Sequence, residues 1–258
     1  EYRFSEGEGL EGHSFGNLFI VAMTDVAGNF EEAVRETSRV LAVRGQILPA
    51  TLSALTLCAR TDDGTVVRGE SAITEHGHVR EIFLDPPAIQ ANPDAIRAIL
   101  QADIIICGPG SLLTSVMPNM LVEGIRRAID VSPALKVYVC NVATQHGETD
   151  AFKVSDHYRM LTEHIKVSPF DFVLANSNTN AVLPEEWHSQ PVEVDTTALN
   201  GARVVKADVV AEENRYRHDS KKLADALIRL YYERHQMADS EPAVASPGAS
   251  QSEKVGVG

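Results

Sequence analysis

Apolar positions at helical spacing mark two helices at the start of the chain. From His13, hydrophobic residues recur with a helical period up to Val26, and Gly28 follows as a stop. Asn29 then precedes a second amphipathic pattern, with carboxylates in its first turn. Because Asn is a favoured helix cap and early carboxylates complement the helix dipole, we predict a second helix that begins directly after Asn29.

Short runs rich in β-branched residues come next, and they predict strands instead of helices. Residues 53–60 and 65–71 flank the turn sequence Thr-Asp-Asp-Gly, and residues 78–85 form a further run. Two such runs around a turn of this type indicate a small β-hairpin insertion. A compact helix is then predicted over 92–102, with Pro93 in its first turn.

From residue 102 onward, continuous apolar runs alternate with amphipathic segments. The apolar runs, each predicted to be a strand, are 102–108, 136–143, 170–176 and 202–211. The amphipathic segments, each predicted to be a helix, are 121–130, 154–167 and 219–235. Strands that are apolar throughout and alternate with helices are typical of a parallel sheet covered on both faces. The sequence therefore predicts an α/β fold.

One domain accounts for most of the chain. A length of 258 residues is enough to bury a sizeable core, and the alternating pattern continues to the end of the last predicted helix. We therefore place one domain at 1–236. Residues 237–258 are small, polar and rich in Pro and Gly, so they cannot bury enough apolar area to offset their conformational entropy. This last segment is predicted to be a disordered tail.

Charge and cysteine usage exclude several classes of partner. The formal net charge of -13 opposes general binding to nucleic acid or to anionic membranes, but it does not exclude a local anion pocket. The three cysteines lie in apolar runs without paired spacing, which predicts buried reduced thiols in a cytoplasmic protein and no metal site. No apolar run approaches the ~20 residues that span a bilayer, so we expect no membrane insertion.

A glycine-rich turn comes directly after the first strand of the predicted parallel sheet. Glycines allow a ligand to approach the backbone, and the N–H groups at the start of the next helix favour an anion such as phosphate. The alternative is a tight strand-to-helix turn, with Ser111 as a helix cap and Pro118 opening a new turn. The stretch is neither a Walker A nor a G-x-G-x-x-G motif, which disfavours a nicotinamide-dependent oxidoreductase. The candidate ligand-binding residues here are Gly108, Pro109, Gly110, Ser111, Thr114, Ser115 and Asn119.

A second polar stretch, 141–150, comes after the next strand. Ligands of parallel sheets bind at the carboxyl ends of strands, and amide and carboxylate side chains at such a place suit recognition of a base or a sugar. The alternative is a solvated loop, as most polar stretches of this length are. The candidate ligand-binding residues of this loop are Asn141, Thr144, Gln145, Glu148 and Thr149, with Asp150 beside them.

Two further sets of residues are candidates for chemistry. His13 and Asn17, four residues apart on one helical face, are either a weak catalytic pair or a cap and surface pair. Glu148 is the third weak catalytic candidate. Arg217 and His218 lie just ahead of the last predicted helix, where cations oppose the helix dipole unless an anion lies between them. They are therefore either anion-binding residues or exposed surface residues.

Four motifs occur in chain order: YRFSEGEGLEGHSFGNLFIVAMT, ILPAT, ICGPGSLLTSVMPNML and NVATQHGETD. Together they resemble the bacterial gluconeogenesis factor family, whose relatives are the CofD-type 2-phospho-L-lactate transferases. The resemblance covers residues 1–235 and implies a Rossmann-like, doubly wound, mostly parallel sheet. It also implies that 108–115 holds nucleotide phosphate, that 141–150 faces the ligand, and that Arg217 takes part in sugar-nucleotide binding.

The resemblance implies one of two functions. The first is a cytoplasmic regulator that binds a nucleotide sugar of the UDP-N-acetylglucosamine type and is required for cell shape and cell-wall synthesis during gluconeogenic growth. Its expected partners are the UDP-sugar, cell-wall synthesis proteins and further copies of itself. The second is a transferase that moves a phospholactyl-type group from a guanylylated donor to a deazaflavin. We favour the regulator, because no nucleophile–base pair stands out in the sequence.

The family also opens with a segment that does not occur in this sequence. Its members begin with a strand and a Gly-Gly-Thr-Gly loop and then an Asp-rich stretch, whereas this chain starts at Glu1 with polar, glycine-rich residues. We therefore expect the N-terminal strand to be missing and the domain to be truncated. Mg²⁺ is expected as a cofactor only where that segment is present.

Overall fold

The computed structural model describes residues 4–7, 9–10, 15–180 and 183–240. The helices are α1 Phe15–Ala27, α2 Phe30–Val40, α3 Glu70–His76, α4 Pro93–Leu100, α5 Met117–Leu121, α6 Glu123–Val131, α7 Val154–Ile165 and α8 Ser220–Ser240. The strands are β1 Thr56–Thr61, β2 Val66–Arg68, β3 Val79–Asp85, β4 Ile104–Cys107, β5 Leu135–Val139, β6 Phe172–Asn176, β7 Ala198–Leu199 and β8 Ala202–Ala207. A π-helix over Leu112–Val116 and a 3-10 helix over Glu185–Trp187 lie between them.

The first two helices lie where the apolar pattern predicted them. α1 ends directly before Gly28, which takes a φ of 82°. α2 is capped by Asn29, whose Oδ1 accepts a hydrogen bond from the Glu32 N–H at 2.9 Å. α1 packs mainly on α2, and Val26 on its outer face is 83% exposed. His13, the predicted first residue of α1, lies outside the described residues.

The predicted hairpin is part of a three-stranded antiparallel sheet with the order β2-β1-β3. β1 pairs with β2 as predicted, and β3 adds on the other side of β1, with Thr56 opposite Asp85. The prediction of a β run over the whole of 65–71 is wrong at its end. Gly69 adopts a φ of 92°, which ends the strand, and α3 begins at the next residue and buries Ile73 completely.

The main sheet has the order β4-β5-β6-β8-β7. Its β4–β5, β5–β6 and β6–β8 pairs are parallel, and the two-residue strand β7 is antiparallel to β8. The predicted mostly parallel, Rossmann-like sheet is therefore confirmed. Within the described residues no strand precedes β1, and β4 pairs on one side only.

Both faces of the main sheet are covered, as the apolar strands predicted. β5 alternates between the two cores: Tyr138 packs in one cluster with residues of α5 to α7, whereas Val137 and Val139 pack in a second cluster. That second cluster includes Leu227 and Leu230 of α8. The sheet is thus covered by α5 to α7 on one face and by α8 on the other, and its strand ends carry loops.

The last helix is longer than the sequence predicted. α8 is capped by Asp219, whose Oδ1 accepts a hydrogen bond from the Lys222 N–H at 2.8 Å, and it continues to Ser240. The helix therefore enters the segment predicted as a disordered tail, of which residues 241–258 lie outside the described residues. No helix in the described part of the chain has the length and apolar character needed to cross a bilayer.

The cysteines are free thiols, as predicted. Cys58 and Cys140 are buried, and Cys107 is half-buried at the end of β4. Burial raises the pKa of the Cys107 thiol to about 12 and raises that of Cys140 as well. Both thiols therefore stay protonated near neutral pH and are poor nucleophiles.

Candidate functional site

Three segments meet at the carboxyl ends of the parallel strands of the main sheet, which we call the carboxyl edge of the sheet. Because β4, β5 and β6 are parallel, their carboxyl ends lie at the same edge. Residues 108–115 leave β4, residues 141–150 come after β5, and residues 216–218 are joined to the end of β5 through His218. We call these three segments the strand-end site. The structure thus brings together the two candidate loops and the basic segment, which are far apart in the sequence.

The turn after β4 is held against β5 by a close backbone contact and by one side chain. Gly108 has a φ of 84°, and a Cβ atom there would lie 2.9 Å from the Val139 carbonyl oxygen. Asn141 accepts a hydrogen bond from the Gly110 N–H at 3.2 Å and donates one to the Gly110 carbonyl at 2.8 Å. Glycine is therefore required at position 108, and the Asn141 amide binds the turn itself.

Ser111 caps the π-helix that comes after the turn. Its Oγ accepts a hydrogen bond from the Thr114 N–H at 3.1 Å, so Ser111 is a helix cap, and ligand binding by the turn stays a prediction. α5 continues from the π-helix with Pro118 in its first turn, as predicted. Ser115 and Asn119 are exposed, and the Asn119 amide donates to the Ser115 carbonyl at 2.8 Å.

A buried carboxylate, that of Glu148, lies at the start of the π-helix. Its oxygens accept hydrogen bonds from Ser111 Oγ at 2.5 Å, Gln145 Nε2 at 2.9 Å, Thr114 Oγ1 at 3.1 Å, the Leu113 N–H at 3.2 Å and Thr74 Oγ1 at 3.3 Å. An anion is stabilised at such a place by the helix dipole and by charge-assisted hydrogen bonds. Glu148 thus occupies the position that one interpretation of the sequence assigned to phosphate.

This carboxylate joins three parts of the fold. Its donors come from α3, from the start of the π-helix and from the loop after β5. Because both oxygens are engaged by protein groups, the geometry makes Glu148 a positioning residue for the turn.

The donor set around Glu148 does not fit Mg²⁺. A magnesium ion requires several oxygen acceptors in octahedral geometry, whereas this carboxylate is surrounded by hydroxyl and N–H donors. In the part of the chain that the structure describes, no three or more His, Cys, Asp or Glu side chains are grouped so as to hold a metal ion.

Two threonines of the second loop are directed into the protein. Thr144 is 1% exposed, and its Oγ1 accepts a hydrogen bond from the Gln190 N–H at 3.0 Å. Thr149 is completely buried, and its Oγ1 accepts one from the Gln145 N–H at 2.9 Å. The solvated-loop alternative is therefore wrong for these two residues, which hold the shape of the loop.

The two basic candidates ahead of α8 are placed differently. His218 is half-buried, with its Nε2 3.3 Å from the Cys140 carbonyl oxygen. Burial lowers the pKa of His218, and the hydrogen bond to Cys140 opposes part of that shift. Arg217 is exposed. The segment is thus pinned to the end of β5 by His218, and Arg217 adds an exposed positive charge at the same edge.

Two residues of the site were not predicted from the sequence. Thr74 donates to Glu148 from α3, a helix that the apolar pattern did not predict. Tyr216 is half-buried beside Arg217; burial raises its pKa, the Ser189 hydroxyl opposes this, and the negative charge of Glu148 raises it further.

The His13–Asn17 pair stays a prediction. His13 lies outside the described residues. Asn17 is exposed on α1, a helix that packs mainly on α2, whereas the contacts of the strand-end site involve α3, the π-helix and the loops after β4, β5 and β8.

Fold and site define the class of protein. A mostly parallel sheet with helices on both faces, and with polar loops gathered at the carboxyl ends of its strands, is the arrangement of Rossmann-like α/β proteins. A family model described as 2-phospho-L-lactate transferase CofD matches residues 1–210. The chain belongs to this CofD family, among the members named gluconeogenesis factors.

Relatives and a solved structure agree with this assignment. The chain is 41% identical to the gluconeogenesis factor of Bacillus subtilis, over 90% of this chain and 76% of that protein. It is 39% identical to the gluconeogenesis factor of Halalkalibacterium halodurans, over 88% of this chain and 73% of that protein. A crystal structure of a UPF0052 family member from Bacillus halodurans superposes with a TM-score of 0.78 at 39% identity, covering 88% of this chain and 76% of that chain.

Proposed function

We propose that the protein binds a nucleotide sugar of the UDP-N-acetylglucosamine type at the strand-end site. On this proposal it is a cytoplasmic, non-catalytic regulator that reports the supply of this precursor to cell-wall synthesis proteins. It is then required for cell shape and wall synthesis during growth on gluconeogenic carbon sources. Its membership among the gluconeogenesis factors supports the physiological part of the proposal.

One observation carries the binding part of the proposal. The Gly108 turn, the loop after β5 and the segment with Arg217 lie at a single sheet edge, joined by Glu148, Asn141 and His218. Carboxyl ends of parallel strands are where α/β sheets bind nucleotides. In this chain of net charge -13, an exposed arginine at that edge is suited to an anionic diphosphate.

The hydrogen bonds of Glu148 limit which groups of the site are available to bind the phosphates. The Ser111 and Thr114 hydroxyls and the Leu113 N–H are already bound to this carboxylate. We therefore expect the diphosphate to contact the Arg217 guanidinium, and the hydroxyls to keep the turn in shape.

A second candidate function is transfer of a phospholactyl-type group from a guanylylated donor to a deazaflavin. The match of residues 1–210 to the family model described as 2-phospho-L-lactate transferase favours it. This activity requires that the protein bind a deazaflavin acceptor and convert it. A regulator requires neither, so acceptor binding and turnover separate the two proposals.

Titration calorimetry of the full-length protein with UDP-N-acetylglucosamine tests the proposal. We expect saturable binding, and we expect Arg217→Ala to weaken it by about 10- to 100-fold, because a charge-assisted hydrogen bond contributes roughly 1.5–3 kcal/mol. Arg229→Ala removes the same charge from an exposed position further along the chain, on α8, and serves as the matched control. Absence of heat with this ligand, together with tight binding and turnover of a deazaflavin, would reverse the ranking of the two functions.

A further inference from the structure

An exposed aromatic side chain lies next to the strand-end site. Trp187, the single tryptophan of the sequence, ends the 3-10 helix Glu185–Trp187 and is 42% exposed. Its indole meets the Tyr216 ring edge to face, with the ring centroids 5.8 Å apart and the planes at 74°. Such a pair keeps one large aromatic surface partly in solvent, although tryptophan contributes most to stability when it is covered.

The fold fixes this indole at the carboxyl edge of the sheet. The segment after Trp187 runs back along the end of β5, where Gln190 and Thr144 exchange two hydrogen bonds, at 2.8 Å and 3.0 Å. The Ser189 hydroxyl donates to the Trp187 carbonyl at 3.0 Å and closes the turn between them. The backbone that carries the indole is therefore tied to the loop after β5, which also carries Asn141.

The other ring of the pair is fixed beside the exposed cation. The Tyr216 N–H donates to Asn214 Oδ1 at 3.1 Å, and the next N–H, that of Arg217, donates to the Asn214 carbonyl at 2.9 Å. One turn thus holds the backbone of Tyr216 and of Arg217, which are neighbours in the chain. Trp187 packs on the Tyr216 ring, so the aromatic pair includes the residue directly before the exposed Arg217.

We infer that Trp187, supported by Tyr216, is the stacking surface for the planar base of the nucleotide ligand. A nucleotide combines a flat aromatic ring with an anionic phosphate, and here an exposed indole packs on Tyr216, whose neighbour in the chain is the exposed Arg217. Stacking of a base on an aromatic side chain does not depend strongly on which base it is. This subsite therefore supplies affinity for the nucleoside part of the ligand, and specificity for one base must come from other groups. The inference rests on the proposed function, because it assigns one part of the proposed ligand.

The test compares ligands with and without a base on the full-length protein. We expect Trp187→Ala to weaken UDP-N-acetylglucosamine binding by roughly ten-fold or more and to leave N-acetylglucosamine 1-phosphate binding unchanged. Trp187→Phe keeps a stacking ring, so it should retain most of the affinity. It should also lose the change in indole fluorescence that the nucleotide causes in the wild type. Tyr232→Ala removes another exposed aromatic, on α8, and serves as the control.

The outcomes separate this inference from the proposed function. Wild-type affinity for UDP-N-acetylglucosamine in Trp187→Ala, with no fluorescence change in the wild type, would overturn the inference and leave the proposed function standing. Binding of GDP or a deazaflavin in place of the UDP-sugar, still weakened by Trp187→Ala, would overturn the proposed function and support the stacking surface. Binding of none of these ligands by the wild type would overturn both. Thermal unfolding of each variant shows that it is folded.

Discussion

At the scale of single residues, one carboxylate organises the site. Glu148 is one of several polar residues in a loop that, on the sequence alone, suits ligand recognition. In the structure it is buried and binds donors from three elements. The residue type was informative, because a carboxylate complements a helix N-terminus. The inward orientation of the Glu148 side chain was not predictable, because its donors Thr74 and Ser111 come from distant parts of the chain.

Replacing Glu148 should therefore destabilise the fold before it affects any ligand. Glu148→Ala leaves the buried Leu113 N–H without its acceptor and leaves the Ser111 and Thr114 hydroxyls with only each other, which costs roughly 1–3 kcal/mol for each unsatisfied group. We expect urea unfolding to show a loss of about 2 kcal/mol or more. The exposed Glu212 is the control, and Glu212→Gln should stay within about 0.5 kcal/mol. Equal stability of the two variants would contradict the positioning role.

At the scale of elements, apolar periodicity in the sequence predicted most of the main sheet. The four apolar runs from residue 102 onward correspond to β4, β5, β6 and β8. The pattern is clearest in β6, which is buried at every position, because a strand covered on both faces is apolar throughout. α3 and β7 were missed, since seven and two residues are too few to establish a period. The strand ends were predictable as a site because parallel strands end at one edge, whereas the inward direction of Thr144 and Thr149 depends on tertiary contacts.

The contact between the β4 turn and β5 can be tested with two glycines of similar conformation. Gly108 and Gly64 have φ values of 84° and 87°, but only at Gly108 would a Cβ atom meet another atom, the Val139 carbonyl oxygen at 2.9 Å. Gly64→Ala should cost about 1 kcal/mol for the left-handed backbone alone. Gly108→Ala should cost at least about 1 kcal/mol more, since the strand or the turn must move. Equal unfolding free energies would show that the close approach is absent in solution.

At the scale of the whole molecule, two cores on opposite faces of one sheet hold the edge in place. One of them contains a buried imidazole: His157 on α7 is completely covered, packs edge to face on Phe152 and donates from Nδ1 to the Lys153 carbonyl at 2.9 Å. Its Nε2 has no hydrogen-bond partner among the described residues. Burial lowers the pKa of His157, although the Lys153 hydrogen bond and Asp156 oppose this, so the neutral form is the folded form.

This histidine gives global stability a defined dependence on pH. The unfolded chain takes up a proton at a pKa of about 6.5, whereas folded His157 takes it up only at lower pH. Stability is therefore complete above about pH 6.5 and falls as the pH decreases through that value, by at most about 1.4 kcal/mol per unit for this proton. Urea unfolding at about pH 7.5, 6.5 and 5.5 measures the slope, which His157→Gln should reduce. An unchanged slope in that variant would assign the dependence to other groups.

A crystal of the full-length protein grown with UDP-N-acetylglucosamine tests the central claim most directly, since it shows where the ligand lies. We predict density for the diphosphate at the carboxyl edge of the parallel sheet, with phosphate oxygens within about 3.2 Å of the Arg217 guanidinium. Density for the nucleotide sugar at any other surface, with this edge unchanged from the free protein, would contradict the account.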